Sequence, residues 1–269
     1  MKRLIITYNQ SCNLKCQFCY IDFHYKKVND KIAEVVKKAV ELKFEVITFG
    51  GGDPFSKKSF REACNYAKEN NLFVHVDTNT KAIREIDLEF INRNIDLLGI
   101  SIDAIGQDYD EFRDTKKLFE KVDAVINQLS KDSQIQIKIN TVVTKENVDK
   151  LSEIRDYISN KRNVVRWSLY QFFPLSIAAT NKARYEISDR DFELATANIE
   201  FCDSKIKIEK FKFNETVNGY LFCDEEGNLY TNNIKGEYIR LFSIFDFDLK
   251  KRIEQIEELI NPLTINRYQ

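Results

Sequence analysis

Along this chain the spacing of apolar positions switches repeatedly between the period of a strand and that of a helix. Short runs rich in β-branched and aromatic residues fall at Arg3–Tyr8, Glu45–Phe49, Phe73–Asp77, Leu97–Ile102, Gln134–Val142 and Val165–Gln171. Each reads as a strand of a sheet covered on both faces. Stretches of helical period lie near Asp30–Leu42, Lys57–Asn70, Leu88–Arg93, Thr115–Leu129, Glu146–Ser159 and Ser188–Phe201. Ser188 with Asp191 three residues on supplies a capping signal for the last of them. Strand and helix in alternation are the mark of βαβ units around a parallel sheet. Six pairs are too few to close an eight-stranded barrel, so the expected fold is α/β, a partial (β/α)6 TIM-like barrel with its functional residues just after each strand. From Lys205 the pattern changes to short β-like pieces at Lys205–Lys212, Tyr220–Cys223, Asn228–Thr231 and Tyr238–Ile244, followed by a helical stretch near Leu249–Ile260. The chain therefore divides into a core, 1–204, and a small C-terminal α+β segment, 205–269, expected to cap the barrel opening.

Composition narrows the function. Lys plus Arg number 41 against 42 Asp plus Glu, a net charge of -1, so no basic excess points to nucleic acid or to an anionic membrane. The apolar run at Leu4–Ile6 is too brief for a secretory signal or a membrane span, which predicts a cytoplasmic protein. Three of the six cysteines crowd into eight residues, and Cys64, Cys202 and Cys223 stand alone, unlike the even spread of a disulfide scaffold. The crowding predicts metal binding in a reducing compartment.

The crowded cysteines, Cys12, Cys16 and Cys19, follow the first strand with the spacing C-x3-C-x2-C and an aromatic, Tyr20, directly after. Three thiolates on one short loop can hold a [4Fe-4S] cluster and leave one iron without a protein ligand, an open position like that of catalytic metal sites. Phe18 lies between the second and third ligands, placed to pack on an adenine, and Tyr20 is placed to shield a cluster from water. The competing reading is a Cys3His zinc site with His24 as the fourth ligand, in a protein without catalysis.

A second motif, Gly51-Gly52-Asp53-Pro54, closes the second strand. Two glycines let backbone approach a ligand closely, and the proline fixes the turn. With the cysteine triad upstream, this pair of motifs resembles the radical S-adenosylmethionine (SAM) superfamily and its GGEP loop, with Asp53 in place of the usual Glu. The resemblance implies a [4Fe-4S] cluster whose open iron chelates SAM. It also implies a flavodoxin-type or ferredoxin-type electron donor, and a 5′-deoxyadenosyl radical that abstracts hydrogen from a small-molecule substrate. It makes Asn79, Ser101, Asn140 and Tyr170 candidates for the cofactor side of the pocket, and Arg113 a candidate partner for the SAM carboxylate.

From Arg3 to about Phe192 the order of motifs is also similar to viperin-like enzymes, which dehydrate nucleoside triphosphates. Lys138 and Arg166 match cations that grip the triphosphate there, while Ser168 stands where that family has a second lysine. One fewer cation removes ~1–3 kcal/mol of charge-assisted bonding. Peptide-modifying members of the superfamily are the alternative. The isolated Cys64, Cys202 and Cys223 read as buried small hydrophobes, so one cluster is expected.

Overall fold

The computed structural model describes residues 2–201, 205–217, 219–233, 235 and 237–246. The helix expected near Leu249–Ile260, and Cys202, lie outside them. Strands β1 (Arg3–Tyr8), β2 (Val46–Gly51), β3 (Phe73–Thr78), β4 (Leu97–Ser101), β5 (Gln136–Val143) and β6 (Val164–Gln171) pair in parallel in chain order. The crossovers carry α1 (Ile32–Glu41), α2 (Phe60–Glu69), α3 (Asp87–Asn94), α4 (Gly106–Phe112), α5 (Leu118–Asp132) and α6 (Leu151–Ser159). After β6 come α7 (Ile177–Thr180), α8 (Lys182–Tyr185) and α9 (Asp189–Ala197). The last of these starts as its sequence predicts, with Asp191 N donating to Ser188 Oγ at 3.1 Å.

The C-terminal segment supplies β7 (Lys207–Phe211), α10 (Phe213–Thr216), β8 (Phe222–Cys223), β9 (Asn228–Asn232) and β10 (Tyr238–Ser243). The sheet thus exceeds the six strands expected: β7 runs parallel beside β6, and β8 runs parallel beside β1 and leads into an antiparallel meander. Among the described residues ten strands stand in the order β10-β9-β8-β1-β2-β3-β4-β5-β6-β7. An open parallel sheet leaves unpaired N–H and C=O groups at each edge; β7 pairs along β6, and β8 pairs with Ile5 and Ile6 of β1.

Alternation along the strands sorts side chains between two environments. Leu4, Ile6, Ile47, Phe49, Val74 and Leu98 join the large apolar core shared with the helices. The opposite positions, Arg3, Thr48, His75, Asp77, Lys138 and Ser168, give the barrel interior a polar lining. Phe60, the first residue of α2, is fully buried against Phe49, Phe55 and Phe90 with ring centroids 5.3, 5.0 and 5.8 Å away. Truncation of such a ring leaves a cavity and removes its contacts. Phe60→Ala is expected to destabilise the fold by about 3–5 kcal/mol, read as a lowered urea midpoint at unchanged slope.

Candidate active site

The cysteine loop leaves β1 and returns to it at a neck where His24 N donates to Asn9 O at 3.1 Å and Tyr25 N to Gln10 O at 3.0 Å. The meander holds this neck: Glu225 accepts from Gln10 N at 2.8 Å, and Tyr238 donates its hydroxyl to Tyr20 O at 2.7 Å. Cys12, Cys16 and Cys19 all line one cavity of about 340 Å³ at the C-terminal ends of the strands. Burial pushes the Cys16 thiol up, against the Arg113 guanidinium beside it, and lifts Cys19 to about 12. Thiols held so high need added positive charge to become thiolates, which is what a bound metal centre supplies. Two donors already face the sulfurs: Asn79 Nδ2 lies 3.8 Å from Cys12 Sγ and Arg113 Nη1 lies 3.9 Å from Cys16 Sγ.

His24 takes no part in this arrangement. It is exposed, and its Nδ1 accepts from Lys26 N at 3.1 Å. Among the described residues no three His, Cys, Asp or Glu side chains converge on one single-ion site. His24 is thus not brought to the cysteines as a fourth ligand, and the three sulfurs share one cavity without it.

The glycine loop fits against the cysteine loop at backbone distance. Gly52 N donates to Tyr8 O at 2.7 Å, and a Cβ on Gly52 would lie 2.1 Å from Ser11 O. Gly51 has φ +80°, and a Cβ there would meet Tyr8 N at 2.6 Å. Asp53 is buried and fully occupied: Oδ1 accepts from Phe55 N, and Oδ2 accepts from Thr78 Oγ1 at 2.7 Å and Asn79 N at 2.9 Å. The carboxylate thus ties the β2 and β3 loops together, while Pro54 opens the 3-10 turn Pro54–Ser56 behind it. Gly50, Gly51 and Asp53 line the cavity.

Arg113 is 7% exposed and commits Nε and Nη2 to Asp103 Oδ2 at 2.8 and 2.6 Å. Its guanidinium also stacks on Phe18, whose ring packs on Phe112 with centroids 4.4 Å apart. Ser101, Asn140 and Tyr170 line the cavity with Arg113, and Tyr20 sets its ring against Phe173. Lys138 and Arg166 lie elsewhere: Lys138 Nζ donates to Tyr170 Oη at 3.1 Å, and Arg166 Nη1 is 3.5 Å from Glu209 Oε1. Ser168 donates to the same Glu209 at 2.9 Å. The cavity also takes in Arg3, Asp77, Tyr220, Phe222 and Asn232, which the sequence reading passed over. For Asp77 the signal was available, since His75 and Asp77 are polar at alternate positions of an otherwise apolar strand. Cys64 and Cys223 are buried, as expected of small hydrophobes.

A partial parallel barrel with three thiols and a glycine clamp at the strand ends defines an enzyme built around an iron–sulfur cluster and a chelating cosubstrate. Residues 6–158 match the radical SAM superfamily, and the chain belongs to that family, which uses a [4Fe-4S] cluster and SAM. It is 26% identical to an S-adenosylmethionine-dependent nucleotide dehydratase of Flammeovirga pacifica, over 92% of this chain and 88% of the relative. A second protein of that name, from Lacinutrix mariniflava, is 27% identical over 83% of this chain, which spans 49% of the relative's length. The crystal structure of Streptococcus suis SuiB bound to S-adenosylmethionine superposes with a TM-score of 0.73 at 15% identity, covering 99% of this chain and 68% of SuiB, a likeness of fold.

The close approach of the two loops makes a direct prediction. Gly52→Ala places a methyl on the Ser11 carbonyl and is expected to lower iron and sulfide bound after anaerobic reconstitution by at least about half, with the far-UV circular dichroism unchanged.

Proposed function

We propose that this protein abstracts hydrogen from a nucleotide-class small molecule and that the reaction is a dehydration of the kind named for its relatives. The observation that carries this reading is the extent of the cavity. It runs from the three cysteines and the Gly50–Gly51 backbone to Arg3, Asp77, Tyr170, Tyr220 and Asn232, so the cluster end and a wall of polar and aromatic side chains face one space. Cys12, Cys16 and Cys19 would hold the cluster, and the glycine backbone and Ser101 would hold SAM, with Asn140 turned by its Nδ2 toward Asp77. When bound, the cluster supplies the electron that cleaves SAM to a 5′-deoxyadenosyl radical.

The remaining work falls to the protein's own side chains. Asn79 and Arg113 direct N–H groups at two of the sulfurs, which favours the reduced, more negative state. Phe18, Tyr20, Phe173, Tyr220 and Phe222 keep water from the reacting centre. The segment from 205 onward caps the cavity laterally through Tyr220, Phe222 and Asn232. Lys138 and Arg166 stand as phosphate contacts that a substrate would have to draw away from Tyr170 and Glu209. We place the protein in the cytoplasm with a flavodoxin-type or ferredoxin-type reductant. Among the described residues no helix is long and apolar enough to cross a membrane.

Reconstituted enzyme given SAM, dithionite and each ribonucleotide in turn is expected to form 5′-deoxyadenosine at least ~10-fold faster with one of them, with a product lighter by one water. Cys16→Ala should lose bound iron and this activity together while keeping its secondary structure. Stimulation by a peptide and by no nucleotide would transfer the protein to the peptide-modifying branch.

A further inference from the structure

One part of the cavity is built from hydrogen-bond acceptors. Asp77 Oδ1 accepts from Asn140 Nδ2 at 2.7 Å and lies 3.1 Å from His75 Nε2. The protein's contacts thus converge on one oxygen of the carboxylate, and the side chain stays 35% accessible on the cavity. Asn140 Oδ1 and Asn232 Oδ1 are buried without a hydrogen-bond partner, and Asn232, also on the cavity wall, is only 2% exposed. Buried acceptors left unsatisfied cost free energy unless a ligand donates to them.

The surroundings hold Asp77 in place and in its charged form. Burial opposes the charge, but the contact from His75 Nε2 and the Lys138 and Arg3 charges outweigh it and keep the carboxyl well below the usual carboxylate range. Burial also lowers His75 to about 4, so its ring is neutral at physiological pH, with Nδ1 3.3 Å from Thr48 Oγ1. Thr48 in turn accepts from Arg3 Nε at 2.9 Å. Gly99, level with Asp77 on the neighbouring strand, makes the space: a Cβ there would come within 2.0 Å of Asp77 Oδ1 and 2.8 Å of Asn140 Nδ2. Ser168, Glu209 and Arg166 satisfy one another further round the barrel.

We infer that Asp77, with Asn140 and Asn232, forms the substrate subsite that binds the donor-bearing part of the nucleotide, a sugar hydroxyl or a base amino group. The inference rests on the nucleotide reading above and adds which end of the substrate is recognised. An ionised carboxylate beside the Asn140 amide oxygen, in a cavity whose wall also carries the unpaired Asn232 Oδ1, attracts O–H and N–H groups. Tyr170, Tyr220 and Phe222 border the same space and offer aromatic surface to a sugar or base.

The test uses Asp77→Asn, which keeps shape and removes charge, and Gly99→Ala, which keeps the carboxylate and displaces it. Both are reconstituted with the cluster and compared with the unaltered enzyme on ribonucleoside triphosphates, on their deoxy and deaminated analogues, and on the parent nucleosides. Retained cluster absorbance and circular dichroism report folding. Both variants are expected to raise KM for the active nucleotide by about 10- to 100-fold, with kcat changed less and SAM affinity within about 2-fold. The analogue lacking the recognised hydroxyl or amino group should lose affinity with the unaltered enzyme and show no further loss with Asp77→Asn. Unchanged KM in Asp77→Asn, or a loss of SAM affinity equal to the loss for the nucleotide, would overturn the assignment and leave the nucleotide reading intact. Failure of the unaltered enzyme to bind any of these nucleotides or nucleosides overturns both.

Discussion

The site depends on how closely two backbone loops approach each other. The loop after β1 and the loop after β2 meet where Gly52 N donates to Tyr8 O at 2.7 Å and Gly52 Cα faces the Ser11 carbonyl with no room for a side chain. Parallel pairing of β1 with β2 sets the loops side by side, with Tyr8 level with Gly51. Asp53 then fixes the second loop to the end of β3, and Lys57 Nζ donates to Ser11 O at 2.6 Å to fix the first. Three cysteines on a loop held at both ends can present sulfur to one cavity without rearrangement, which is the preorganisation that metal-site chemistry requires.

Behind this clamp the barrel is polar inside and extended at both edges by late strands. The charges are arranged in local sets. Asp103 takes Arg113 and the Val142 N–H, Glu209 takes Arg166 and Ser168, and Asp77 sits among His75, Asn140 and Lys138. Such pairing is what permits charge in a buried volume. It also divides the interior by function. Arg113 is directed to the cysteine loop, whereas Asp77 has spare accepting capacity facing the cavity.

Much of this was legible in the chain. The six main strands fall within a few residues of their expected bounds, because β-branched runs bordered by helical period leave little choice. The cysteine spacing and the two glycines carried the centre of the site because both act through local backbone. The short α4 was missed, since Asp108, Asp110 and Glu111 mask the apolar pair Tyr109 and Phe112 that it buries. The placement of β8 on β1 was not readable, because parallel partners more than 200 residues apart, such as Ile5 and Phe222, leave no mark in local period, and β7 beside β6 leaves none either. The tie from Asp53 to Thr78 and Asn79 was likewise unreadable, since it joins the loops of two neighbouring strands while Asp53 also lines the cavity. The contacts of Lys138 with Tyr170 and of Arg166 with Glu209 were not legible either, since they join side chains on neighbouring strands.

The central claim is that three sulfurs hold a cluster with one iron left for SAM. The most direct measurement is electron–nuclear double resonance on the anaerobically reconstituted, reduced protein, with SAM labelled at the amino nitrogen and carboxylate and with iron and sulfide assayed in the same sample. The account predicts about four iron and four sulfide per chain and hyperfine coupling from both labels. Four protein ligands to the metal, zinc in place of iron, or a cluster without coupling to the labels would contradict it.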